Sequence, residues 1–347
     1  MTITSATTTP LIARDSDIRA DPARYRMLTG DRPTGPLHLG HYLGTLRNRV
    51  RMQDLGLDTY VVVADYQVIT DRNRPGSVTA NVADIVLDYL AAGLDPERTT
   101  IFAHSTVPAL NQLLLPFLSL VTVPELQRNP TVKAEAEGAG LPSIGGLLLT
   151  YPVHQAADIL FCRGTLVPVG RDQLPHVEQT RLIARRFNDR YQPLFPEPQA
   201  LLSEAPALLG VDGRKMSKSR GNGIPLRASE DETARLIRRA VTDAERTITY
   251  EPDRRPEVAS LLLMGALCSD TTPDDLAARI GGGGAATLKA VVTEAVNEHL
   301  RPLRTRRHEL AADAAIVRDV LSAGSARANA VAAETLDAVQ DALGMRY

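Results

Sequence analysis

Between Tyr25 and Val169, short apolar and β-branched runs alternate with longer stretches of helical period, and few folds accommodate that alternation. Tyr25 to Thr29, Thr59 to Ala64, Thr100 to Ala103 and Leu166 to Val169 read as strands, and Leu39 to Gln53, Val78 to Leu90 and Gln173 to Phe187 as helices. Parallel strands need long crossovers, so this order implies an α/β architecture with a doubly wound parallel sheet. Ligands bind such sheets beyond the carboxyl ends of the strands, which directs attention to the loops after Thr29, Ala64 and Val169.

After Pro225 the strand pattern stops and the chain becomes rich in Ala, Leu, Arg and Glu. Helices are expected near Glu230 to Ala240, Pro256 to Cys268, Asp274 to Ile280, Ala285 to Ala314 and Ala326 to Leu343, punctuated by Gly281 to Gly284. At 347 residues the chain has the length for two domains. The expected division is a disordered tail over residues 1–22, an α/β domain over 23–225 and a helical domain over 226–347.

Composition narrows the chemistry. Of 39 basic residues only four are lysines (Lys133, Lys215, Lys218, Lys289), and two stand in one pentapeptide, Lys215-Met216-Ser217-Lys218-Ser219. A chain that uses arginine nearly everywhere keeps lysine where a compact, mobile ammonium is needed, which marks the pentapeptide as a phosphate-handling loop. It lies between the apolar Ala207 to Val211 and the breaker-rich Arg220-Gly221-Asn222-Gly223, so it reads as a connection able to close over a ligand. Two cysteines, no membrane-length apolar run and no signal-peptide pattern at the start lead us to expect a cytoplasmic protein with no membrane partner.

The first strand ends at Thr29-Gly30 and runs through Asp31-Arg32-Pro33-Thr34-Gly35-Pro36-Leu37 into His38-Leu39-Gly40-His41 at a helix start. Free N–H groups there favour anions, and Gly40 lets a flat ring approach the backbone. The two histidines are spaced i, i+3 rather than i, i+4 and have no acidic or cysteine ligand beside them, so no metal site is expected. Farther on, Tyr151, Gln155 and Asp158 share one helical stripe among alanines, where a buried carboxylate needs a partner.

The His-Leu-Gly-His turn and, about 170 residues later, Lys-Met-Ser-Lys-Ser together resemble the two signatures of the class I aminoacyl-tRNA synthetases. The likeness runs from about Arg26 to the C-terminus. Leu149-Thr150-Tyr151-Pro152, Ala156-Ala157-Asp158-Ile159-Leu160, Val167-Pro168-Val169-Gly170-Arg171-Asp172-Gln173 and Ala240-Val241-Thr242-Asp243 resemble the tryptophan-activating branch, the tryptophanyl-tRNA synthetases. Tyrosine-activating relatives usually carry a Gly-Ser-Asp-Gln version of the glycine loop.

The resemblance implies a Rossmann-like catalytic domain that joins tryptophan to ATP and then to tRNA(Trp), with Mg²⁺ on the phosphates and an anticodon-reading helical part in a homodimer. Its implied catalytic residues are Lys215, Lys218, Lys133, His38 and His41. For ATP it implies Arg32, Pro33, Thr34, Gly40 and His41 at the first turn, and Gly170, Arg171 and Asp172 after the fourth strand. Leu208 and the loop Lys215, Met216, Ser217, Lys218 and Ser219 complete that set. For tryptophan it implies Leu28, Gly30, Gln67, Tyr151, Gln155, Asp158, Val169 and Gln173, with Asp158 accepting the indole N–H and Gln173 holding the amino group. Arg301, Arg304, Arg306 and Arg307 form either a phosphate-facing stripe or a solvated helix face.

Some positions depart from the commonest pattern. Gln67 and Gln155 stand where histidine and methionine are frequent, and the chain contains no tryptophan. An auxiliary enzyme, made when charged tRNA for tryptophan is scarce and tolerant of indole-like inhibitors, would have these features. Two alternatives stay open: a tyrosine- or analogue-activating relative, and a non-catalytic RNA-binding descendant.

Overall fold

The structure is a computed structural model that describes residues 10–70, 76–138, 143–202, 208–218 and 220–347. Five parallel strands form one sheet in the order β3-β2-β1-β4-β5: β1 (Arg26–Asp31), β2 (Asp58–Val63), β3 (Thr99–Ala103), β4 (Leu166–Val169) and β5 (Gln199–Leu202). The winding reverses between β1 and β4. That reversal opens a crevice at the carboxyl ends of the two strands.

The helices of the first part are α1 (Asp15–Ala20), α2 (Leu39–His41), α3 (Arg47–Asp54), α4 (Val78–Ala92), α5 (Pro108–Gln112), α6 (Leu114–Leu118), α7 (Val123–Arg128), α8 (Pro130–Gly138), α9 (Gly146–Leu160) and α10 (Leu174–Arg190). A π turn over Tyr42–Leu46 joins α2 to α3. The second part holds α11 (Glu230–Arg239), α12 (Pro256–Ser269), α13 (Pro273–Ile280), α14 (Gly284–Ala311) and α15 (Ile316–Leu343).

Three expectations are corrected. Strand β5 was not foreseen, because Gln-Ala-Leu-Leu has no β-branched residue to mark it. The disordered tail does not extend over residues 10–22, while residues 1–9 lie outside the described residues. Ile18 on α1 is fully buried, worth about 1.5–3 kcal/mol of apolar transfer. The Ala200 amide donates to the Leu11 carbonyl at 2.7 Å and the Ala13 amide to the Ala200 carbonyl at 2.9 Å, which covers the outer edge of β5.

The third correction concerns the helical part, whose core does not separate at residue 225. One buried cluster contains Leu39, Val61 and Ile85 together with Leu226, Leu262, Val292 and Val320. Arg307 of α14 pairs with Asp88 of α4 at 2.7 Å and with Asp84 at 2.8 Å. Helix α15 lies on the other sheet edge, β3, so closely that a Cβ on Gly324 would stand 1.8 Å from the Ile101 carbonyl oxygen. Arg327 of α15 donates to the carbonyls of Pro96 and Thr99 at 2.6 and 3.2 Å. Both sheet edges are therefore covered by remote chain segments.

Candidate active site

A cavity of about 310 Å³ occupies the crevice between β1 and β4. It is lined by Leu28 and Gly30 of β1, Val169 of β4, Gln67 after β2 and Gln173 after β4. Helix α9 adds Tyr151, Gln155 and Asp158, so all eight residues expected at the amino-acid pocket meet there. Gly30 is required by the sheet, since a Cβ would lie 2.2 Å from the Val62 carbonyl oxygen.

Polar groups in the cavity are tied to the protein behind it. The Tyr151 hydroxyl and His176 Nε2 are 3.2 Å apart. Burial raises the Tyr151 hydroxyl well above its usual range and lowers His176 to about 4, so the pair is neutral at pH 7. Asp158, nearly fully buried, accepts from Gln67 Nε2 at 3.4 Å and lies 2.8 Å from His104 Nε2.

The lysine loop is closed against this region. Lys218 Nζ donates to the Arg32 carbonyl at 3.1 Å, and Lys215 Nζ lies 3.5 Å from Asp172 Oδ2. Met216 is buried over Gly40, where a Cβ would stand 3.1 Å from its sulfur, so the glycine makes room for the loop itself. Asn222 organises the loop. Its side chain accepts from the Ser217 amide at 2.8 Å and donates to Asp212 Oδ1 at 2.7 Å and to the Lys215 carbonyl at 3.2 Å. The Leu39 amide donates to the Ile224 carbonyl and the Leu226 amide to the Leu37 carbonyl, each at 2.9 Å, which joins the histidine turn to the segment after the loop.

The histidine rings lie with centroids 3.7 Å apart, and the His38 amide donates to His41 Nδ1 at 3.3 Å. Burial, aided by Lys218, lowers His38 to about 4, and burial with His38 lowers His41 to about 3, so both are neutral at pH 7. Beneath them Asp31 accepts from Arg49 Nη1 at 2.6 Å and from the Tyr89 hydroxyl at 2.7 Å. Burial opposes ionisation of Asp31, but Arg49 and Lys218 outweigh it and hold the carboxyl well below its usual range.

Of the nucleotide set, Arg32, His41 and Gly170 line the cavity; Lys218 reaches the Arg32 carbonyl, and Lys215 pairs with Asp172, which like the two lysines lies outside the lining. Pro33, Thr34, Gly40, Arg171, Leu208, Met216 and Ser217 do not line it, nor does His38. Ser219 lies outside the described residues. Lys133 is exposed on α8 and is not brought to the cavity, although Glu135 of the same helix pairs with Arg32 at 3.3 Å. Three of the four arginines of the α14 segment are engaged within the fold: Arg301 pairs with Glu230 and Glu298, Arg304 with Asn297 and Thr233, and Arg307 with Asp84 and Asp88, while Arg306 is exposed. Sequence reasoning missed Asp31, Arg49, His104 and Asn222, none of which sits in a pattern that separates it from ordinary polar residues.

Residues 21–301 match the family of tRNA synthetases class I (W and Y), and the chain belongs to that family. It is 42% identical over 329 residues to the tryptophan–tRNA ligase of Treponema pallidum, covering 92% of this chain and 97% of that one. It is likewise 42% identical over 334 residues to that of Lactococcus lactis, covering 92% and 98%. The crystal structure of the Campylobacter jejuni tryptophanyl-tRNA synthetase complexed with ADP and tryptophan superposes with a TM-score of 0.79 at 28% identity, covering 92% of this chain and 99% of that one.

Proposed function

We infer that the chain is a tryptophan–tRNA ligase. The observation that carries this is convergence: eight residues from four parts of the sequence line one cavity with a buried carboxylate, Asp158, and a two-lysine loop closes beside it. Asp158 accepts the indole N–H, and an analogue lacking that donor leaves a buried acceptor unpaired. Gln173 holds the substrate amino group.

The tryptophan carboxylate attacks the α-phosphorus of ATP in line. A carboxyl oxygen–phosphorus bond forms, the α–β bridge breaks, and pyrophosphate leaves with the electron pair. A terminal tRNA hydroxyl then displaces AMP from the adenylate. No covalent enzyme intermediate is involved, so the protein acts by positioning and by stabilising charge on the leaving group. Lys215 and Lys218 supply that charge, while Lys133 needs a movement of α8 to join them. Neutral His38 and His41 accept and donate hydrogen bonds to nucleotide without adding charge.

Mg²⁺ belongs to this reading as part of the nucleotide substrate, where it would offset phosphate charge. Among the described residues the loop offers no cage of acidic ligands, which suits an ion held chiefly by phosphate and water. The helical part is assigned to the anticodon. Exposed Leu115 and Val123 on consecutive short helices, with Tyr66 and Ile69 after β2, are apolar groups suited to a homodimer. No helix among the described residues is long and apolar enough to cross a membrane, and a cytoplasmic setting goes with the two buried free thiols Cys162 and Cys268. Gln67 and Gln155 in the cavity wall, with the absence of tryptophan, support an inhibitor-tolerant auxiliary role.

ATP–pyrophosphate exchange with each amino acid in turn tests the reading. Exchange should depend on tryptophan. Exchange driven by tyrosine, or by no amino acid, would overturn it.

A further inference from the structure

Asp158 is held from behind by a residue that does not line the cavity. His104 follows β3, is fully buried, and places Nε2 2.8 Å from Asp158 Oδ1. The ring N–H is not aimed along that line, so the contact is short without being a hydrogen bond, and neither atom has a hydrogen-bond partner among the described residues. Among the described residues the other carboxylate oxygen, Oδ2, meets only the Gln67 side-chain amide, at 3.4 Å, a long contact from a residue of the cavity wall. The two oxygens thus differ: one faces the protein interior, and the other has a weak partner that a substrate donor can replace.

The main chain of His104 and its neighbour His154 are tied together by one side chain. The Asn111 amide nitrogen donates to the His104 carbonyl at 2.9 Å, while its oxygen lies 2.7 Å from His154 Nε2. The His154 ring stands edge-on to His104 with centroids 4.7 Å apart, and Tyr66 covers it at 6.4 Å in a stacked orientation. Packed against His154 and Tyr66, the buried imidazole keeps Nε2 2.8 Å from Oδ1, and a close polar contact of this kind biases the rotamer of the carboxylate it touches.

We propose that His104 is a positioning residue for the amino-acid substrate: it engages Asp158 Oδ1 so that Oδ2 is presented to the indole N–H. This rests on the tryptophan reading of the cavity. It extends that reading by placing the determinant of indole recognition partly outside the pocket, on the strand-end loop that Asn111 secures.

The test pairs tryptophan with its benzothienyl analogue, in which sulfur replaces the indole N–H, in pyrophosphate exchange. Wild type must first show tryptophan-dependent exchange; its absence would defeat the function reading itself, before any variant is compared. His104→Ala should then raise the KM for tryptophan about tenfold, the worth of one hydrogen bond. KM for ATP and for the analogue should change less than about twofold, the difference expected if only the N–H contact is lost. His104→Gln, which keeps a donor, should recover most of the loss. Equal losses for tryptophan and analogue, or identical behaviour of the Ala and Gln variants, would overturn the proposal. So would one tightly held divalent ion per chain in wild type that His104→Ala loses, because His104, His154 and Asp158 bring their donor atoms within 4.8 Å.

Discussion

The Lys218 ammonium donates to the main-chain carbonyl of Arg32 at 3.1 Å, bridging a loop and a turn 186 residues apart in sequence. Burial lowers its pKa, against the attraction of Asp31, so this lysine stands in a site built to tune its charge. Lys218→Ala should slow adenylate formation by roughly 10²- to 10³-fold while KM for ATP and tryptophan changes little. Lys218→Arg should not rescue, because a rigid fork does not fit the space of one ammonium. Single-turnover measurement of adenylate formation decides this, and equal losses in affinity and rate would contradict it.

Two buried histidines and the partly buried His41 make stability depend on pH. His38 and His176 have folded pKa values of about 4 and His41 of about 3, against an ordinary 6.5. The unfolded chain therefore binds more protons between these limits, so stability is full above pH 6.5 and falls as pH drops toward 4. At pH 5 each should cost about 1–2 kcal/mol relative to pH 8. Urea denaturation across that range should show the decline, and His176→Gln should make it shallower by about one third. A profile that is level from pH 8 to pH 5 would contradict the argument.

Gln67 and Gln155 bear on inhibitor choice. Gln67 shares Asp158 with the expected indole site, so an indole-like inhibitor must displace an amide rather than meet an imidazole. Gln67→His and Gln155→Met should each lower the inhibition constant of a tryptophan-mimicking inhibitor, by about tenfold if one hydrogen bond or one packing contact is gained. Steady-state inhibition of the two variants against wild type measures it; unchanged affinity in both removes the basis for tolerance.

Gly324 marks where α15 meets the sheet. Gly324→Ala places a methyl 1.8 Å from the Ile101 carbonyl oxygen, so the helix has to shift. Destabilisation of about 1–3 kcal/mol is expected, read as a lowered Tm. Gly282→Ala, with open space around the new Cβ, serves as the control and should leave Tm nearly unchanged.

Much of this architecture was legible in the sequence. Val61, Val62, Val63 and Ile101 are β-branched residues that announce buried strands, and helical period alone puts Tyr151, Gln155 and Asp158 on one face. Strand β5 was not legible, because its pairing with β4 comes from tertiary contact rather than local preference. Among the site residues, Lys215 and Lys218 stood out against an arginine background. Asn222, inside Gly-Asn-Gly, reads as a breaker, and its three hydrogen bonds exist only once the loop is folded. His104 and Asp158 are 54 positions apart in sequence, and nothing local to either announces the other.

The cover of β3 by α15 also orders events during synthesis. Translation proceeds from the N-terminus, so β3 emerges more than two hundred residues before the helix that seals it. Until Ile316–Leu343 clears the ribosome, a nascent sheet exposes a bare edge to neighbouring chains. A ribosome that stalls before that helix is made releases a chain with most of its site residues but an open sheet, a substrate for chaperones.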